Sequence, residues 1–177
     1  MKEDGTMARR PDLDIFCKKH DLNIVYISDI VEYRMMNESL IRVITESTTK
    51  FMEQEVRHYD IVDHRENHHI AYTFGKAAKR SVVKFHNVIK DSELLASSTK
   101  FNALMHAVKH LKENEGVLIF LEKEENPNIQ IREYGIGAQI VKYLGIEEIK
   151  LLVATKEKDF VGISGFGLGV VEQSTFE

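Results

Sequence analysis

The chain has 177 residues, 43% of them hydrophobic and 29% charged, with a formal net charge of -4. That balance fits an ordinary globular protein with room for one good core, and gives no electrostatic reason to expect nucleic acid or an anionic membrane as partner. No apolar run approaches the roughly 20 residues that cross a bilayer, and the opening MKEDGTMARRPD lacks the apolar stretch of a secretory signal. A single cysteine, Cys17, excludes an internal disulfide, so a cytoplasmic protein is expected.

In chain order, Pro11 suits the first turn of a helix, and Leu13, Phe16 and Cys17 follow at helical spacing towards His20-Asp21. Cys17 reads as packing, not as a nucleophile. Asn23 to Ile27 reads as a short strand, and Ser28 as the cap of a second helix running to about Ser39. From Ile41 to His86 β-branched and charged residues predict antiparallel strands, with turns at Thr48-Thr49, Asp63 to Asn67 and Lys76 to Lys79. Helical spacing returns from Asp91 to Glu113, interrupted near Ser97. Val117 to Leu121 then reads as a strand buried on both faces. A polar loop from Glu122 to Asn128 leads to a helix from Tyr134 to Leu144, with Gly145 ending it. Ile149 to Val153 is another buried strand, and the glycine-rich tail closes on a short one. The fold class is α/β with a mixed sheet.

Eight histidines invite a metal reading. His106 and His110, spaced i and i+4, share a helix face, but without a metalloprotease glutamate they read as a solvated surface. His64, His68 and His69 cluster near the expected 63–67 turn, where adventitious zinc or nickel capture is conceivable. His86 ends a strand. The glycines from Gly165 to Gly169 precede a terminal strand and supply turn geometry, not a phosphate cradle. Gly135-Ile136-Gly137 opens the expected helix, where free N–H groups would meet an anion.

Two stretches carry a family resemblance. Glu3-Asp4-Gly5-Thr6-Met7-Ala8-Arg9-Arg10-Pro11-Asp12-Leu13, with Ser28 to Arg34, resembles the C-terminal end of 3,4-dihydroxy-2-butanone 4-phosphate synthase. Arg132-Glu133-Tyr134-Gly135-Ile136-Gly137-Ala138-Gln139-Ile140, Leu144 to Ile146, Ile149 to Leu152 and the closing Gly167 to Glu172 resemble the later half of GTP cyclohydrolase II. Both occur in this order in bifunctional riboflavin-biosynthesis proteins. The resemblance implies residues 1–40 as the tail of a synthase-like domain and 41–177 as a shortened cyclohydrolase II-like domain, a mixed sheet with flanking helices. It also implies that the synthase's catalytic acids and magnesium site lie upstream, with Met1 an internal methionine, and that the chain pairs as a homodimer.

The resemblance further implies a degenerate zinc site. The family's three cysteine ligands fall on Ile89, Ser98 and Lys100; an isoleucine offers no donor and a lysine ammonium repels the ion. Its phosphate loop falls on Glu122 to Asn126, mostly acidic, its catalytic tyrosine on Phe120, and its aspartate on Gln130. Arg132 matches as a vestigial catalytic or nucleotide-binding residue, and Lys158 as a nucleotide-holding lysine. The expectation is a domain kept for folding, dimer formation or support of the upstream synthase, without zinc. Its rivals are an active cyclohydrolase with His86, His106 and His110 as ligands, or a noncatalytic nucleotide- or flavin-binding module.

Overall fold

A computed structural model describes residues 5–25, 30, 33, 34, 37–122, 130–153 and 168–175. The chain divides into two units, 1–34 and 35–177.

In the first unit, helix α1 spans Arg10–His20. The Asp12 carboxylate accepts the Arg9 N–H at 2.9 Å, and the acid lies at the positive end of the helix while Lys18 and Lys19 lie at the negative end. Asp21, at a φ of 52°, ends the helix. No residue of α1 is buried, and Ile15 and Phe16 are 68% and 51% exposed. Cys17 is half-buried. Leu22 to Val25, expected to start a strand, are irregular, and Tyr26 and Ile27 lie outside the described residues. Helix geometry recurs at Ile30, Tyr33 and Arg34.

The second unit is built on seven strands: β1 (Ile41–Phe51), β2 (Gln54–Asp63), β3 (His68–Phe74), β4 (Arg80–Asn87), β5 (Gly116–Leu121), β6 (Glu148–Val153) and β7 (Gly169–Thr175). Their order is β1-β2-β3-β5-β4-β6-β7. The first three and the β3–β5 pair are antiparallel, whereas β5–β4, β4–β6 and β6–β7 are parallel. The α/β mixed sheet is therefore as expected, with two corrections. β4 continues no antiparallel meander, because the chain crosses over after β3 and β4 inserts between β5 and β6. Nor is there a turn at Thr48-Thr49, which pair with Arg57 and Val56 inside the first hairpin. The turn is Met52-Glu53, both at positive φ (47° and 68°), the two-residue geometry that matches the twist of the flanking strands. The Lys112 ammonium donates to the Met52 carbonyl at 3.0 Å and holds it.

Helices α2 (Asp91–Ala96) and α3 (Ser98–Asn114) follow β4, with the Ser97 hydroxyl accepting the Lys100 N–H as the cap of α3. Ala107, Val108 and Leu111 of α3 bury against Val56, Phe74 and Leu118 on one face of the sheet. Helix α4 (Gln130–Tyr143) buries Ile136, Ile140 and Val141 against Tyr59, Ile61 and Ile119 on the other. β5 is central, so Val117, Leu118 and Ile119 are all fully buried. The Gln139 side chain accepts the Leu40 N–H at 2.7 Å and donates to the Glu38 carbonyl at 3.0 Å, which holds the entry of β1 to α4. Among the described residues no helix is long and apolar enough to cross a membrane.

Helix α4 begins at Gln130, four residues before the expected start, so Gly135 and Gly137 lie inside it and their N–H groups are not a helix-end anion site. Gly137 is there for packing: a Cβ on it would sit 2.7 Å from the Phe85 ring of β4. Alanine in a helix interior gains roughly 1 kcal/mol over glycine, while overpacking costs about 1–3 kcal/mol. Gly137→Ala is thus expected to destabilise by about 1 kcal/mol and, in a Phe85→Leu background, to stabilise by a similar amount. A double-mutant cycle in urea checks this; the same sign in both backgrounds would refute the contact.

Candidate functional site

β4, β5 and β6 run in one direction, so Asn87, Leu121 and Val153 bring their carboxyl ends to one edge of the sheet, where open α/β folds bind ligands. Of the positions implicated by the sequence, His86, Phe120 and Ile89 lie at this edge. His86 and Phe120 are register partners, their rings edge to face with centroids 5.3 Å apart. The Val88 N–H donates to the Leu121 carbonyl at 2.8 Å, so half-buried Ile89 leaves the sheet directly beyond the end of β5. Ser98 and Lys100, both exposed, open α3. Arg132 stands in the first turn of α4, and Lys158 lies outside the described residues.

Lys84, read from sequence only as a neighbour of His86, dominates the electrostatics here. It shares a strand face with His86, and its ammonium donates to the Leu152 carbonyl at 3.2 Å. Burial holds its pKa below the usual lysine range. Burial, and then the Lys84 charge, also hold His86 below the ordinary histidine value. The donor set does not fit a zinc ion: an alkyl side chain at Ile89, a hydroxyl at Ser98, ammonium groups at Lys100 and Lys84, and one imidazole that its own neighbour keeps away from positive charge. His106 is exposed and His110 half-buried on α3. Among the described residues, no three His, Cys, Asp or Glu side chains form a group able to hold a metal.

A buried polar network lies beside this edge. Asp63, 7% exposed, accepts the Arg65 N–H at 2.8 Å, the Asn67 N–H at 3.0 Å and the Asn67 side-chain amide at 3.0 Å, and so closes the β2–β3 turn. His69, 3% exposed, accepts the Glu122 N–H on Nδ1 at 3.1 Å, leaving Nε2 protonated and 3.5 Å from the Asp63 carboxylate. Glu122 in turn accepts the His68 N–H at 2.7 Å. The expected metal-capturing trio is thereby broken up: His69 is buried in this network, whereas His64 and His68 are exposed. Periodicity could not show it, because Asp63, His69 and Glu122 meet only across three strands.

Comparison with known proteins agrees with the fold. Residues 126–175 match the family model described as GTP cyclohydrolase II. The chain is 64% identical over 174 residues to a 3,4-dihydroxy-2-butanone 4-phosphate synthase of Sulfurospirillum multivorans, covering 98% of this chain and 49% of that protein. A protein of the same name from Wolinella succinogenes is 45% identical over 173 residues, covering 98% and 50%. The crystal structure of RibBX, a two-domain 3,4-dihydroxy-2-butanone 4-phosphate synthase from A. baumannii, matches with a TM-score of 0.69 at 31% identity, over 100% of this chain and 52% of that one. The chain spans about half the length of these relatives. It is homologous to 3,4-dihydroxy-2-butanone 4-phosphate synthases over that half, and its last third matches GTP cyclohydrolase II.

Proposed function

We propose that these 177 residues are the C-terminal half of a two-domain 3,4-dihydroxy-2-butanone 4-phosphate synthase of riboflavin biosynthesis. On this reading the cyclohydrolase II-like domain serves folding and homodimer formation and opens no purine ring. The observation that carries it is the half-buried Lys84 ammonium on the strand face of His86, with Ile89 just beyond the strand's end and the Phe120 ring against the imidazole. Without a metal-held water, no described residue there generates a hydroxide near neutral pH. The other part of the reading rests on the 64% identity over 174 residues to a synthase of which the chain covers 49%. Synthase chemistry and its magnesium belong to that upstream half.

The test is a paired assay on the purified chain: metal content, and formate released from GTP. The expected result is zinc far below one equivalent and no formate above the no-enzyme control. Stoichiometric zinc together with formate would refute the reading.

A further inference from the structure

A concave site lies at the other end of the strands, away from Asn87 and Leu121. Where α4 ends, Tyr143 and Leu144 lie over β2 and β3 and leave a cleft of about 410 Å³, within the range of small-molecule sites. Thr73 lines it. That residue is 2% exposed, and its hydroxyl has no hydrogen-bond partner among the described residues. A buried hydroxyl without a partner is costly in a strand whose register is otherwise satisfied, which is a reason to look for a ligand. Tyr59 and Tyr143 form apolar walls, their rings edge to face with centroids 6.5 Å apart. At the rim stand two cations, Arg57 and Lys76, and one acid, Glu46, whose carboxylate lies 3.4 Å from the Arg57 guanidinium.

We propose that this cleft binds a small phosphate monoester with a flat apolar body. A monoester carries a charge of roughly -1.5 to -2 near pH 7, which two cations balance once Arg57 leaves Glu46. Its oxygens accept from the Arg57 fork, the Lys76 ammonium and the Thr73 hydroxyl, and its body lies against the tyrosine rings. Glu46 then acts as a competitor that the ligand displaces. The site is separate from the degenerate edge, so it stands whether or not that edge retains any chemistry.

The test is a titration of phenyl phosphate, phenol and inorganic phosphate into the full 15N-labelled chain, followed by amide shifts at Thr73, Gly75 and Tyr143. Phenyl phosphate is expected to bind saturably and more tightly than either fragment. Thr73→Val should weaken it about tenfold without lowering Tm, since valine matches threonine in shape and the lost hydroxyl bonded to nothing in the free protein. Thr73→Ser should bind close to wild type. Lys76→Ala, a change at an exposed position that leaves the core untouched, should also weaken binding, and Glu46→Gln should strengthen it. No saturable shift, unchanged affinity in both Thr73→Val and Lys76→Ala, or equal binding of either fragment would overturn the proposal.

Discussion

Replacing Gly116 by alanine is expected to destabilise the protein by about 3–5 kcal/mol, a large effect for the addition of one methyl group. Gly116 opens β5, the strand on which both faces of the core are built. Its φ is +139°, a backbone conformation that L side chains rarely adopt. A Cβ there would stand 2.5 Å from the Val82 carbonyl oxygen and 2.6 Å from the Leu111 side chain. The first neighbour is backbone of the adjoining strand and cannot swing aside, unlike the Phe85 ring that faces Gly137. Strain of about 1–3 kcal/mol adds to overpacking of similar size. Urea unfolding should show a midpoint lower by about 1–3 M at unchanged slope. A variant within about 1 kcal/mol of wild type would mean that β4 and β5 can separate locally at no cost, contrary to their packing.

Asp63→Ala is expected to cost about 3 kcal/mol, or a Tm lower by about 6–12 °C, because it removes the buried carboxylate that accepts the Arg65 N–H, the Asn67 N–H and the Asn67 side-chain amide and that faces His69. The same network makes the fold acid-sensitive. For Asp63, burial alone would raise the carboxyl pKa, but the hydrogen bonds from Asn67 and Arg65, with His69 nearby, bring the net value below 3.8. For His69, burial holds the pKa below 6.5, and the opposing attraction of Asp63 and Glu122 does not restore it. Both folded values are depressed, so in each case the unfolded chain takes up a proton more readily and stability falls with pH. The His69 contribution is complete above pH 6.5 and is lost as pH falls through its lower folded value; His86 adds to the same window with the same sign. The Asp63 contribution is complete above pH 3.8 and is lost below that. Denaturation at about pH 7.5 and about pH 5.5 should show a clear loss in the wild type and a smaller one in His69→Leu. Equal losses in the two proteins would remove His69 from the account.

How much of this was legible in the residues follows from how local each cause is. Helices α1, α3 and α4 and strand β5 could be placed within a few residues, because caps, periodicity and a continuous apolar run act between near neighbours. The side-chain chemistry was legible in the same way: Ile89, Ser98 and Lys100 lack the donor chemistry of cysteine in any fold. Pairing partners are a different matter. β4 reads like the strands before it, and only the crossover through α2 and α3 makes it parallel to β5. Thr48-Thr49 have the composition of a turn, but ten paired positions of β2 extend the hairpin past them to Met52-Glu53. Gly137 reads from sequence as part of a helix start open to an anion, and the nearby Phe85 ring makes it a packing position. The burial of Lys84, the Asp63–His69–Glu122 network and the Thr73 cleft each depend on residues brought together across the sheet. Local periodicity carries no information about such distances, so tertiary structure alone decided them.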